Sequence, residues 1–318
     1  MKPLRIHNEQ YVYFVTNRTH QQRFFMLPTK ENNEAIRYWL AKSKHLHGQN
    51  IEIYAFIFLS NHFHILLRDP AGELPRFMDY FQGNLARAIN RNINRKGKFW
   101  QREYHDLIVD TVSSEDVFWE RYAYTALNAV KSGLVSTSAH WNGISSVPHA
   151  LNNSPITGKG LNRTKYGDKN RHNKNVKKKD FEEHFEFKLT VPPFLDGKDT
   201  SERLTFIQSL LKSGTVEYRK ARLNKPALGM HKVLKQSFQD RPKSSKQSPR
   251  TRFKSFCAEA KSDFKKMYST FVSDYKHAVH LMFVYFNDPD RNRYVSIDTS
   301  FPWPSGSYPP TKHKPVFM

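Results

Sequence analysis

With a single cysteine, Cys257, in 318 residues, the chain has no intrachain disulfide, no cysteine-based zinc finger and no two-cysteine redox site. Its apolar runs are short of the roughly 20 residues that span a bilayer. Met1-Lys2-Pro3-Leu4 does not begin a secretory signal. A soluble protein in a reducing cytoplasm, with no membrane partner, is therefore expected. No P-loop pattern occurs, so no phosphate cradle of that type is expected. Acidic residues are scarce relative to basic ones, 29 Asp and Glu against 51 Lys and Arg, for a formal net charge of +22. The imbalance is uneven: 18 basic residues face 13 acidic ones up to Ala150, and 33 face 16 beyond it. Such a surplus favours a polyanionic partner, nucleic acid ahead of anionic membrane, because each neutralised phosphate releases condensed counterions.

The apolar share of 38% and aromatic share of 14% are too high for a chain disordered throughout. Strand character is predicted for Tyr11 to Thr16, helix for Lys30 to Gly48, and a hairpin for Ile51 to Ser60 and His62 to Arg68, turning at Ser60-Asn61. A helix from Glu73 to Lys96, a strand from Tyr104 to Val112 and a helix from Glu115 to Val135, capped by Ser114, follow. That order predicts an α+β fold, a ferredoxin-like or RRM-like antiparallel sheet with helices on one face. Residues 1–147 are read as one domain, 148–200 as a basic flexible linker rich in Lys, Arg and Asn, and 201–318 as a mostly helical basic region. In the last part helices are predicted from Glu202 to Leu223, just after Gly229, and from Phe256 to Phe286, the last with a continuous apolar stripe. A Ser/Lys/Pro-rich connector from Asp240 to Arg252 and an extended tail from Ser300 complete the chain.

His62-Phe63-His64 carries the chemistry. In a strand, alternate side chains share a face, so both imidazoles point one way while Phe63 and Ile65 point into the packing behind. Two neutral imidazoles are good ligands for one divalent cation and leave positions for another side chain, water and a substrate oxygen. Two half-buried structural histidines are the other reading of the same motif. On the helix beyond Ser114, Tyr124 and Asn128 are four apart and share a face. If that face meets the histidine strand, the Asn128 carbonyl becomes a third ligand and Tyr124 a nucleophile beside the ion. Tyr122 is the rival nucleophile, but its partner four residues on is Ala126, which binds no metal.

His62-Phe63-His64 together with Tyr124-Thr125-Ala126-Leu127-Asn128-Ala129-Val130-Lys131-Ser132-Gly133 resembles the single-tyrosine transposases of the His-hydrophobe-His class, above all the bacterial REP-associated tyrosine transposases of the insertion-sequence-200-like group. Pro3-Leu4-Arg5-Ile6, Tyr13 to Arg18, Ser60-Asn61 and Phe99-Trp100-Gln101-Arg102 agree with it, so the resemblance spans roughly residues 1 to 147. Ala129 stands where the family usually has proline, and residues 150 to 318 have no counterpart in its short members. The resemblance implies a transposase that cleaves and rejoins single-stranded hairpin DNA through a 5′-phosphotyrosine. Tyr124 would be catalytic, His62, His64 and Asn128 would hold Mg²⁺ or Mn²⁺, and the protein would act in the bacterial cytoplasm as monomer or homodimer. Arg87, Arg91 and Arg95, spaced four apart, are expected to form a basic ridge along DNA, joined by Arg18, Trp100, Arg102 and Lys131. Asn84, Asn90 and Asn94 are weaker candidates for base contacts, and His105 for reaching the site. A replication-initiator or relaxase-type nickase would use the same histidine pair, and an RRM-like binding protein would keep the histidines as structure.

Overall fold

The computed structural model describes residues 4–242, 251–287 and 304–307, with side chains in the last helix up to Leu281. Most of the expected connector from Asp240 and of the tail from Ser300 lies outside the described residues. The first half runs β1 (Val12–Arg18), α1 (Lys30–His47), β2 (Glu52–Phe58), β3 (His62–Arg68), α2 (Leu74–Asn92), β4 (His105–Val109), α3 (Glu115–Ala126), α4 (Asn128–Lys131) and α5 (Val147–Asn152). β5 (Ile156–Leu161), α6 (Arg163–His172), β6 (Glu182–Phe187), α7 (Thr200–Ala221), α8 (Met230–Leu234), β7 (Phe253–Lys254) and α9 (Ala258–Asn287) follow. The main sheet has the order β2-β3-β1-β4-β7. All its neighbours are antiparallel except β4 and β7, which run parallel.

The α+β, ferredoxin-like reading matches this order, but the expectation of helices on one face is corrected. Phe63, Ile65 and Leu67 point to one side, where α1 and α2 supply Ile36, Leu40, Phe77, Phe81 and Leu85. Phe14, Leu66, Leu107 and Val109 point to the other, where α3 supplies Val117 and Phe118 and α7 supplies Ile207 and Leu211. Strands apolar on both faces need cover on both. Side chains cap these helices: Thr29 accepts from Asn32 N at the start of α1, and Asp199 and Glu202 form a capping box on α7 at 2.9 Å each way.

The stretch expected as a flexible linker is structured over residues 156–187. β5 and β6 pair antiparallel and lie on α1, with Ile156 and Phe187 in the first core. Two glycines permit the approach: a Cβ on Gly158 would sit 2.5 Å from the Arg37 carbonyl oxygen, and one on Gly160 would sit 2.6 Å from the Tyr38 ring. Glu183 fastens the pair, accepting from Lys42 at 2.5 Å, Asn162 at 2.6 Å and Tyr38 at 3.0 Å. Burial raises the Glu183 carboxyl, but these hydrogen bonds outweigh it and bring it down to about 2. A depressed carboxylate stabilises the fold above its unfolded value and loses that contribution as pH falls through the folded one. Protection of the β5 and β6 amides, taken relative to the intrinsic exchange rate at each pH, is therefore expected to fall between about pH 4.5 and pH 2 in the wild type. In Glu183→Gln that protection is expected to be low already at neutral pH. The described residues after 200 do not form a separate core, because α7 joins the second cluster and β7, Phe264 and Phe271 join the first. Arg5 and Arg252 bracket the buried Asp106 at 3.7 and 2.6 Å, tying the β7 edge to β4.

Candidate active site

β3 delivers both histidines to the face covered by α3. Their ring centroids are 4.9 Å apart, and the antiparallel register sets Arg18 opposite His62 and Thr16 opposite His64. Asn61 Oδ1 lies 2.6 Å from His62 Nδ1 and accepts its proton, which leaves the lone pair on Nε2. His64 is stacked on Phe14 at 4.8 Å and meets the edge of Tyr124 at 5.3 Å. It is buried, and neither of its ring nitrogens has a hydrogen-bond partner. Burial pushes the His62 imidazole down to about 4, with Arg18 adding to the effect and the Asn128 side chain opposing it. Burial also holds His64 well below its ordinary value, reinforced by His62, Arg18, Arg121 and Lys131. Both rings are therefore neutral at pH 7, the form that ligates metals.

The helix carrying Tyr124 is broken where one continuous element was expected. α3 ends at Ala126, Leu127 leaves helical geometry at φ −106° and ψ 13°, and α4 starts at Asn128, although Ala129 rather than proline follows. The Leu127 N to Ala123 O and Lys131 N to Leu127 O bonds, both 2.9 Å, bridge the break. Asn128 is buried, its side chain is a hydrogen-bond partner of the His62 ring, and its Oδ1 accepts from Ser132 Oγ at 3.4 Å. Tyr122 turns away into the second core against Phe118 and Trp119, and burial raises its hydroxyl. The structure thus brings His62, His64, Tyr124 and Asn128 together. Among the described residues no three of His, Cys, Asp and Glu cluster as a metal group. Two imidazoles and an amide carbonyl form a donor set that fits a divalent ion, and the unpartnered nitrogens of buried His64 call for an occupant.

Cations surround the site. Lys131 Nζ lies 4.1 Å from the Tyr124 ring centroid and 5.3 Å from that of Tyr218, and Arg121 Cζ lies 5.4 Å from Tyr124. Arg121, Phe14 and Tyr218 were not singled out from sequence. The spacing of Arg121 three residues before Tyr124 was available as a signal. Tyr218 reaches the site from distant α7, where sequence spacing carries none. His105 lies on the same face one strand further off, opposite Thr16 across β1.

The proposed arginine ridge does not form as one unit. α2 ends at Asn92 and Asn94 takes φ 48°, so Arg95 leaves the helix, lies 4.1 Å over the Phe25 ring and donates to Asn90 and Lys98 O. Arg91 is exposed and its charge is felt by that of Arg163. Arg87, Trp100 and Arg102 instead line a groove of about 1050 Å³ with Asn90, Lys98 and Arg252. Trp100 is half-buried there and donates from Nε1 to Gln82 O at 3.0 Å, while its neighbour Phe99 belongs to the core.

No helix among the described residues is long and apolar enough to cross a membrane. No curated protein matches the chain. A solved REP-associated tyrosine transposase bound to a REP hairpin is similar at 17% identity and a TM-score of 0.38, covering 48% of this chain and 86% of its own. A putative transposase from Deinococcus radiodurans R1 is similar at 19% identity and a TM-score of 0.26, covering 38% and 95%. Residues 10–122 match the family described as transposase IS200 like, a segment that contains the histidine pair and stops two residues before Tyr124. The likeness to that family lies in this amino-terminal segment, about a third of the chain.

Proposed function

We propose that the protein is a metal-dependent strand transferase for single-stranded, hairpin-bearing DNA, with Tyr124 as nucleophile. The observation that carries this reading is the convergence of Tyr124 and Asn128 on the two histidines, with both nitrogens of buried His64 free of hydrogen bonds. His62, His64 and Asn128 would hold Mg²⁺ or Mn²⁺, which when bound polarises a phosphate oxygen. Tyr124 attacks the phosphorus: its oxygen forms the new P–O bond, the bond to the 3′ oxygen breaks, the phenol loses a proton and the departing oxygen gains one. The 5′-phosphotyrosine keeps the energy of the broken linkage, so rejoining by a 3′ hydroxyl needs no nucleotide cofactor. Arg18, Arg121 and Lys131 bind and orient the phosphate, and their charge favours the negative charge that accumulates on it. The groove lined by Arg87, Trp100 and Arg102 is suited to the rest of the strand, combining cations for backbone with an aromatic ring edge.

Incubation of end-labelled hairpin single strands with purified protein and Mn²⁺ tests the reading. Cleavage with a protein-linked 5′ product is expected; it should vanish in excess chelator and return when Mn²⁺ is restored. Binding with no cleavage on any of a panel of hairpins would favour the RRM-like, non-catalytic alternative instead.

A further inference from the structure

The charges around the donor set oppose the ion that the donors would hold. His62, His64 and Asn128 are neutral donors, and among the described residues no carboxylate completes a metal group with them. Glu120 is engaged by Arg121 at 3.2 Å and Lys254 at 3.3 Å. Three cations face the same space: Arg18 opposite His62 across the strand pair, and Arg121 and Lys131 beside Tyr124, whose ring is 5.3 Å from that of His64. A dication here is repelled by the three side chains. A phosphodiester anion is attracted by all three and by the ion. The anion therefore offsets part of the repulsion that the ion meets, and the ion adds to the attraction that the anion meets.

We infer that the divalent ion and the DNA phosphate enter this site as a thermodynamically coupled pair, the metal binding weakly until a phosphate offsets Arg18, Arg121 and Lys131. Coupling is reciprocal, so the ion tightens the binding of DNA by the same factor. The inference rests on the metal-dependent reading above, and it adds a role to three cations: in the DNA-free protein they hold the metal off.

Mn²⁺ binding to the full chain, read from the paramagnetic resonance of the free ion at low salt, tests it. Without DNA, Arg18→Gln, Arg121→Gln and Lys131→Gln are each expected to tighten Mn²⁺ binding by about two- to fourfold, an effect that salt erodes. With saturating random-sequence single-stranded DNA, wild-type affinity for Mn²⁺ should rise by about tenfold or more, within the usual range of coupling. The same substitutions should then weaken binding. Mn²⁺ affinity that is equal with and without DNA, or that is unchanged or loosened by the three substitutions in DNA-free protein, overturns the coupling while leaving the metal site standing. A different failure, no saturable binding sensitive to His64→Ala in either condition, removes the metal-dependent reading itself.

Discussion

Tyr124→Phe is expected to abolish the covalent protein–DNA adduct, with cleavage falling by at least about a thousandfold, because removal of a nucleophile leaves no other group to form the bond. Binding of a hairpin strand should stay within about twofold, since the phosphate-binding cations are untouched. The melting temperature should not move. The contacts that seat this residue, with Phe14 at 5.7 Å, His64 at 5.3 Å and Lys131 at 4.1 Å, belong to the ring and survive in phenylalanine. A parallel Tyr122→Phe variant should cleave normally, because that side chain faces the core on Phe118 and Trp119. Electrophoresis of adducts under denaturing conditions, with thermal melting of each variant, separates these outcomes. Retained adduct in Tyr124→Phe would move the nucleophile elsewhere.

His64→Leu should lose cleavage and gain stability at once. An imidazole whose two nitrogens are buried without partners carries a desolvation cost of about 1–3 kcal/mol in the metal-free protein. Leucine fits among Phe14 and the apolar face of β3 without that cost. Metal-free His64→Leu is therefore expected to be more stable than wild type by about 1–2 kcal/mol. Its cleavage should fall by about a hundredfold or more, since a ligand is gone. Adding Mn²⁺ to the DNA-bound protein should raise the melting temperature of the wild type and leave the variant unmoved, because only binding to the folded state stabilises. A destabilised metal-free variant would mean that His64 has structural partners, in favour of the reading in which the pair is structural.

The part of this site that was legible in the sequence is the part set by short-range periodicity. His62 and His64 share a face because strand alternation requires it, and Tyr124 and Asn128 come to them because residues four apart share a helical side. The break at Leu127 was not legible, since no proline or glycine marks it. The arginine spacing misled because Arg95 lies beyond the helix end, where the left-handed Asn94 turns the chain and spacing by four loses its meaning. Composition misled at residues 156–187. Lysine and asparagine dominate there, yet Ile156, Phe185 and Phe187 alternate with polar residues on an antiparallel pair, and Gly158 and Gly160 let it lie against α1. Long-range partners were out of reach: nothing local to Tyr218 or Arg252 announces that one meets Lys131 and the other Asp106.

Mass spectrometry of the protein trapped on a hairpin single strand in Mn²⁺, digested with nuclease and protease, tests the central claim most directly. The expected result is a single nucleotide-bearing peptide with the phosphate on Tyr124, absent in chelator and absent from His64→Ala. A nucleotide carried on any other residue, or cleaved strands with no covalently modified peptide, would contradict it.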